Sequence, residues 1–263
     1  MRPRPLITSS ANPRLKQVRR LRRRPRRRVF LVEGHRQVAA ALEAGAQVRE
    51  LYVARELFLG ATDAALVTLA ARRGALVHEL SGAAFESING QVRPDGLAAV
   101  VERPATALEE LRLGSCPLLL VAEAIERPGN LGTIVRTACA AGADALVVAD
   151  GVTDPFHPET VRGSAGTIFR LPLAESTTPA ATAWLRAQRV RIVVATPEAS
   201  RSYKDADLRG AIVVGNERHG VSDAWLEAAD ELVKIPMPGL ADSLNVAVAA
   251  GVLLCEAASR RPL

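Results

Sequence analysis

Three glycine-bearing turns gather the polar side chains of an otherwise aliphatic sequence. They are EAIERPGNLGTIVRTA (Glu123 to Ala138), VVGNERHGVS (Val213 to Ser222) and IPMPGLADSLNVAVAAGVLLCEA (Ile235 to Ala257). Each reads as a strand-to-helix turn. In an open α/β sheet, ligands bind at the carboxyl ends of the strands, where such turns sit. The third turn passes from two prolines and a glycine through Asp242-Ser243-Leu244-Asn245 into an apolar helix. Its polar residues have two readings. Asp242 or Ser243 caps the helix by accepting a backbone N–H, or Ser243 and Asn245 border a ligand at the positive end of the helix. The two are compatible, because a capped helix start can also face a ligand.

The turns lack the signatures of common cofactor and hydrolase sites. Gly129-Asn130-Leu131-Gly132 gives G-x-x-G, not the G-x-G-x-x-G of a dinucleotide fold, and no G-x-x-x-x-G-K-[ST] phosphate loop is present. There is no G-x-S-x-G nucleophile elbow. Cys116, Cys139 and Cys255 form no C-x-x-C pair, and His35, His78, His157 and His219 are equally scattered. No metal site and no disulfide framework are expected, and a reducing cytoplasm fits. A different chemistry is written in RRLRRRPRRR. Arg19, Arg20, Arg22, Arg23, Arg24, Arg26, Arg27 and Arg28 make eight arginines in ten residues. Such a run is ordinarily a solvated, disordered stretch. Here it lies between a helix-like segment, Asn12 to Val18, and the strand-like VFLVEG. Held there it repels itself, and a nucleic-acid phosphate backbone is its natural counter-charge.

The elements that must position these residues read as two α/β series in a chain of 263 residues. Hydrophobic residues make up 48% and aromatics only 3%, so the core is aliphatic and the composition argues against a broad aromatic platform for stacking bases. The net charge of +6 favours a polyanionic partner. No stretch reaches membrane-spanning length, and the basic N-terminus lacks the apolar core of a signal peptide. The first series covers residues 1–103. VFLVEG, VRELYVA, ALVHEL and GLAAVVE read as strands. RQVAAALEAG and SGAAFESI read as helices, as does TDAALVTLAARRG with Thr62 or Asp63 as its N-cap. Residues 104–117 read as a linker with a short helix. The second series covers 118–263. Its strands are LLLVAEA, ALVVAD, FRLPL, RIVVAT and AIVVG, and its helices include NLGTIVRTACAAG, TPAATAWLRAQ and SDAWLEAA. Continuous apolar runs with intervening helices predict a parallel sheet covered on both faces.

RPGNLGTIVRTACAAGAD, IVVGNERHGVS and IPMPGLADSLNVAVAAGVLLCEA resemble, in order and spacing, the three motifs of the SpoU/TrmH family. These are S-adenosylmethionine-dependent RNA 2′-O-ribose methyltransferases of the SPOUT class. The likeness runs from Leu118 to Arg260. ITSSANPRLKQVRRL followed by FLVEGHRQVAAALEAG resembles the small α/β RNA-binding domain that precedes it in many members. The resemblance implies a C-terminal parallel sheet with a deep trefoil knot. It implies a cofactor lined by Gly215, Ile235 and Leu244, with Thr196, Asn216 and Met237 nearby and Ser243 at its mouth. Arg136 takes the place of the family's catalytic arginine and Asn130 that of its companion asparagine. Glu217, the second motif's glutamate, orients Arg136 or a water, or holds the helix geometry. Against this, Arg136 also reads as a structural ion pair and Glu217 as a surface carboxylate. Arg162, in ETVRGSAGTIF, matches a position near the RNA. Val246 to Cys255 is implied to floor the site and to form a homodimer interface. The bulky Arg218-His219 departs from the pattern at the loop rim.

The leading function is therefore S-adenosylmethionine-dependent ribose 2′-O-methylation of RNA, of 23S-type ribosomal RNA ahead of transfer RNA. A catalytically silent RNA-binding protein of ribosome assembly is the alternative from another class. The joint presence of Asn130, Arg136, Glu217, Ser243 and Asn245 speaks against it. The arginine run speaks against an enzyme acting on free nucleotides.

Overall fold

The computed structural model describes residues 5–23 and 28–261. Arg24, Arg26 and Arg27, three of the expected RNA-contacting arginines, lie outside these residues. The chain divides into two compact units, Met1–Pro104 with Phe156–Phe169, and Ala105–Pro155 with Arg170–Leu263. The first contains α1 (Pro13–Arg23), β1 (Val29–Glu33), α2 (His35–Glu43), β2 (Val48–Val53), α3 (Ala61–Arg72), β3 (Leu76–Glu79), α4 (Gly82–Glu86) and β4 (Leu97–Glu102). The second begins with β5 (Leu118–Glu123), α5 (Pro128–Ala140) and β6 (Ala145–Ala149). The chain then gives α6 (Pro158–Gly163) to the first unit. It resumes the second with β7 (Leu173–Ser176), α7 (Thr178–Ala187), β8 (Ile192–Ala195), β9 (Arg201–Ser202), β10 (Gly210–Val214), α8 (Asp223–Ala228), β11 (Glu231–Lys234) and α9 (Val246–Ser259). None of the described helices is long and apolar enough to cross a membrane.

In the first unit the sheet order is β1-β4-β2-β3, with β2 and β3 parallel and the other pairs antiparallel. Leu15, Val18 and Leu21 recur every three residues and bury one face of α1. That apolar stripe carries the helix beyond Val18, so the arginine run begins as helix and not as a loop. Arg20, Arg22 and Arg23 are exposed on it and Arg19 is half-buried. Helix α3 starts earlier than expected. Gly60 is its N-cap, and Asp63, three residues on, reaches back to accept the Gly60 N–H at 2.9 Å. Asp63 thus fills the reciprocal half of a capping box, and the N-cap itself is neither Thr62 nor Asp63.

The second unit is an α/β layer with a seven-stranded sheet in the order β7-β6-β5-β10-β8-β11-β9, every pair parallel. Strands β5, β6 and β10 are buried along their whole length, as expected of strands covered on both faces. The FRLPL stretch is not a strand. Thr167–Phe169 forms a 3-10 turn, and pairing starts only at Leu173. Pro172 has no N–H to give to a ladder, though its carbonyl accepts the Leu146 N–H at 2.9 Å. The short β9 and β11 were not anticipated from the sequence. Helix α9 buries Val246, Ala247, Ala250, Leu253, Leu254 and Ala257 and packs on α5. Gly251 permits the close approach, since a Cβ there would lie 3.3 Å from Thr137 Cγ2.

Candidate active site

Strands β5 and β10 are parallel neighbours, with Ala122 opposite Val214. The loops that follow them therefore leave the same edge of the sheet side by side. After β5 the chain turns through Ala124, which has φ 49, and enters α5 at Pro128. A non-glycine residue at positive φ is strained and needs support. It has it: the Ala124 N–H bonds Ala149 O at 2.9 Å, and its own carbonyl accepts Asn216 Nδ2 at 2.9 Å. After β10 the chain makes a tight turn in which Gly220 N–H bonds Asn216 O at 3.0 Å. A Cβ on Gly215 would lie 2.2 Å from Gly220 O, so only glycine fits. The Asn216 side chain ties the two loops together. Its amide nitrogen also donates to Glu126 Oε1 at 3.2 Å, and its oxygen accepts the N–H groups of Arg218 and His219 at 2.8 and 3.1 Å.

Residues from all three motifs meet above this pair of loops. Glu217 Oε1 accepts from Asn130 Nδ2 at 2.7 Å, and Glu217 Oε2 accepts the Glu126 N–H at 3.3 Å. Asn130 Oδ1 accepts from Asn245 Nδ2 at 3.1 Å. Asn245 Oδ1 in turn accepts the Ala247 N–H at 2.9 Å. Neither Asp242 nor Ser243 caps α9; Asn245 does. Burial pushes the Glu217 carboxyl upward. Hydrogen bonds from the Asn130 amide and from the N–H groups of Glu217, Glu126 and Arg127 outweigh it and hold the group below the usual carboxylate range. The Glu126 and Arg127 N–H groups lie at the entry to α5, whose N-cap is Arg127, so the carboxylate also sits at the positive end of that helix.

Arg136 lies six residues beyond Asn130, about 9 Å further along the helix axis. It is exposed and makes no hydrogen bond or ion pair among the described residues. Its charge is open to a ligand, and the ion-pair reading has no partner there. Ser243 is exposed, outside the Asn130–Glu217–Asn245 chain of bonds, and Leu244 is 36% exposed beside it. Ile235 and Met237 line a cleft of ≈ 370 Å³ together with Pro197, Pro236, Pro238 and Asp242. Its walls are mostly apolar; Lys234, the last residue of β11, also lines it, and the other lining residues lie outside helix and strand. Such a lining suits an adenosine read by backbone groups between apolar walls. Thr196, at the end of β8, gives its N–H to Val233 O at 2.9 Å and its hydroxyl to the Glu198 carboxylate. Among the described residues no three His, Cys, Asp or Glu side chains cluster as metal ligands.

Sequence reasoning passed over Glu123. This buried carboxylate ends β5 and accepts from Ser222 N at 2.8 Å, Ser222 Oγ at 2.6 Å and Thr178 Oγ1 at 3.2 Å. It anchors the start of α8 to the strand below the site. The signal was present: a charge closing the wholly apolar run LLLVAE must be paired or hydrogen-bonded. Arg162 and the arginines of α1 lie in the first unit.

The SpoU rRNA Methylase family matches residues 117–255. The chain belongs to that family. Residues 12–99 match the MRM3-like substrate binding domain. The 23S rRNA (guanosine(2553)-2'-O)-methyltransferase RlmP of Bacillus subtilis is 33% identical over 253 residues, covering 94% of this chain and 97% of its own. The 23S rRNA (uridine(2479)-2'-O)-methyltransferase of Streptomyces viridochromogenes is 34% identical over 253 residues, covering 91% and 85%. The crystal structure of an AdoMet-bound rRNA methyltransferase from Sinorhizobium meliloti superposes with a TM-score of 0.87 at 31% identity, covering 96% of this chain and 97% of that one. Asn130, Arg136, Glu217, Ser243 and Asn245 all fall within the matched SpoU segment. Arg19, Arg20, Arg22, Arg23 and Arg28 fall within the matched substrate-binding segment.

Proposed function

We propose that this protein transfers a methyl group from S-adenosylmethionine to a ribose 2′-hydroxyl of 23S-type ribosomal RNA. One observation carries the reading. Asn130, Glu217 and Asn245 come from three segments far apart in the chain, yet they form one chain of hydrogen bonds. A silent scaffold has no need of that arrangement. The two relatives act on a guanosine and on a uridine at nearly equal identity. Similarity therefore supports the substrate class and leaves the nucleotide open.

A ribose hydroxyl is a weak nucleophile and loses its proton as the new O–C bond forms. The protein must position it and stabilise the developing oxyanion. Arg136 suits the second task. A guanidinium is a planar cation with five donors and no acceptor, so it fixes a phosphate and supports the alkoxide rather than acting as a free base. Glu217 is held as a low-pKa carboxylate with its oxygens engaged. It orients Asn130 and does not receive the proton. Asn130 and Asn245 together fix the start of α9, and so the approach to Ser243 and Leu244. The cofactor is assigned to Thr196, Gly215, Asn216, Ile235, Met237, Ser243 and Leu244, where it supplies a methyl group carried on a sulfonium. RNA is assigned to Arg19, Arg20, Arg22, Arg23, Arg28 and Arg162.

The trefoil knot, a cytoplasmic location and a homodimer belong to the same proposal. The dimer is supported by α9, where Val248 is 52% exposed and lies in line with Val252 and the exposed Cys255. The test is tritium transfer from labelled S-adenosylmethionine to unmodified bulk rRNA and, separately, to tRNA. Alkaline hydrolysis then locates the label. Label in rRNA at an alkali-resistant linkage is expected. Transfer to tRNA alone would replace the substrate, and cofactor binding without transfer to either RNA would favour a silent binding protein.

A further inference from the structure

The first unit holds a cavity of ≈ 280 Å³ whose wall carries Arg19, Arg22 and Arg23 from α1, Arg162 from α6, and Glu33 from the end of β1. None of Asn130, Arg136, Glu217 and Asn245 lines it. Glu33 is the unexpected member. Its side chain is 1% exposed. Oε1 accepts the Gly90 N–H at 2.9 Å, while Oε2 is buried without a hydrogen-bond partner. Arg22 Nε stops 3.8 Å from Oε1, and Arg162 Nη1 stops 3.7 Å from Oε2. Both are too far for hydrogen bonds. Burial pushes this carboxyl above the usual range, helped by the charge of Glu159, a second carboxylate on the wall, and against the pull of the Gly90 N–H and of the Arg22 and Arg162 charges. The carboxylate is short of donors, and an unsatisfied buried acceptor in a native fold calls for an explanation.

A bare phosphate does not supply one. Its oxygens suit the arginines and repel the carboxylate. A ligand with both an anionic group and N–H donors satisfies both, and a nucleotide is such a ligand. Among the four bases, guanine alone sets two adjacent donors, N1–H and the 2-amino group, beside an acceptor, O6. Resting on the RNA-modifying reading above, we propose that this cavity binds one unstacked guanosine nucleotide of the RNA. Glu33 accepts from the base's N1–H and 2-amino edge, and the arginines take O6 and the phosphate. Proteins read RNA sequence mainly through such splayed-out bases, and guanidinium planes also stack on them. The wall is prepared for this. A Cβ on Gly90 would lie 2.7 Å from Arg22 Nε, so the guanidinium rests directly on that glycine. Arg19 is fixed by Ser87 Oγ at 3.2 Å and Ser10 O at 2.9 Å. Arg23 has no partner among the described residues and is open to a phosphate.

Fluorescence anisotropy tests the assignment with the full chain and no S-adenosylmethionine. The probes are labelled uridine oligonucleotides carrying one central guanosine, adenosine, cytidine or inosine. The guanosine probe is expected to bind about tenfold tighter than the others, and inosine, which lacks the 2-amino group, loses most of that gain. Glu33→Gln keeps an acceptor for Gly90 and removes one negative charge. Electrostatics alone would make it bind every probe more tightly; the proposal has it lose the guanosine preference. Thermal melting establishes that the variant is folded, and if it is not, the wild-type panel decides alone. Equal wild-type binding of all probes, or an undiminished preference in folded Glu33→Gln, overturns the pocket. Methyl transfer to rRNA by a protein with no guanosine preference sinks the pocket and leaves the function standing. A preference without any transfer does the reverse.

Discussion

The bond from Asn130 Nδ2 to Glu217 Oε1 makes a quantitative prediction through a double-mutant cycle. At 2.7 Å it is a charge-assisted hydrogen bond, a class that contributes about 1.5–3 kcal/mol when buried. Glu217 is only half-buried, so solvent screening brings the contribution down to about 1–2 kcal/mol. Glu217→Ala also strips the acceptor from the N–H groups of Glu126, Arg127 and Glu217 itself, and Asn130→Ala also strips the acceptor from Asn245. Each single variant thus loses the shared bond together with weaker bonds of its own. The double variant loses the shared bond only once. Urea unfolding of the four proteins should give a coupling of about 1–2 kcal/mol, above the roughly 0.5 kcal/mol scatter of independent sites. The sign of the pH dependence follows from the depressed carboxyl. The Glu217 contribution is complete above the unfolded glutamate value of about 4.3 and is lost as pH falls through the lower folded value. The coupling should therefore be level through neutral pH and vanish only in acid. Additive single effects at neutral pH would refute the linkage, and with it the claim that the three motifs act as one unit.

Arg136→Ala should abolish methyl transfer while cofactor affinity by equilibrium dialysis stays within a few-fold; near-normal turnover would remove Arg136 from the mechanism. Replacing Arg19, Arg22 and Arg23 together by alanine should weaken binding to single-stranded RNA and flatten the slope of log affinity against log salt by up to about 2. An unchanged slope in titrations at several salt concentrations would mean that α1 does not meet phosphate. Val248→Asp on α9 should convert the protein from dimer to monomer in sedimentation analysis, and a wild-type monomer under assay conditions would count against that interface.

The parts of the fold that were legible in the sequence are those whose cause is local. LLLVAE reads as a buried strand because every residue up to Glu123 is apolar. TPAATAWLRA reads as a helix, and its cap is adjacent: Thr177 Oγ1 accepts the Ala180 N–H at 3.4 Å. Misreadings arose where one residue overrode a pattern, as Pro172 did in FRLPL. Others arose where the element is too short to have a pattern, as in the two-residue β9. The site itself depended on a different kind of information. Asn130 and Glu217 meet because β5 and β10 are neighbours in the sheet, and no periodicity in the intervening chain states that adjacency. Resemblance to a family located the residues; the sheet order explains why they meet. The cavity around Glu33 was invisible for the same reason, since Arg162 belongs to the first unit although it lies within the second series of the sequence.

The start of α9 shows how distant packing decides a local question. Asp242, Ser243 and Asn245 can all cap a helix. Only Asn245 carries an acceptor and a separate donor on one planar amide. It uses the acceptor for Ala247 N–H and the donor for Asn130 Oδ1. An aspartate there would keep the cap and gain about 0.3–1 kcal/mol from the helix N-terminus. It would have no donor, and would set its oxygen against Asn130 Oδ1. If Asn130 turned its amide to relieve this, it would lose Glu217. Asn245→Asp should therefore lower the melting temperature slightly, the gain at the helix N-terminus being smaller than the bonds lost, and lower kcat about tenfold, the equivalent of roughly 1.4 kcal/mol. A helix cap with no part in the site predicts the opposite, full turnover at equal or better stability. Melting and single-turnover methyl transfer on the same preparation distinguish the two, and full turnover would return Asn245 to a purely structural role.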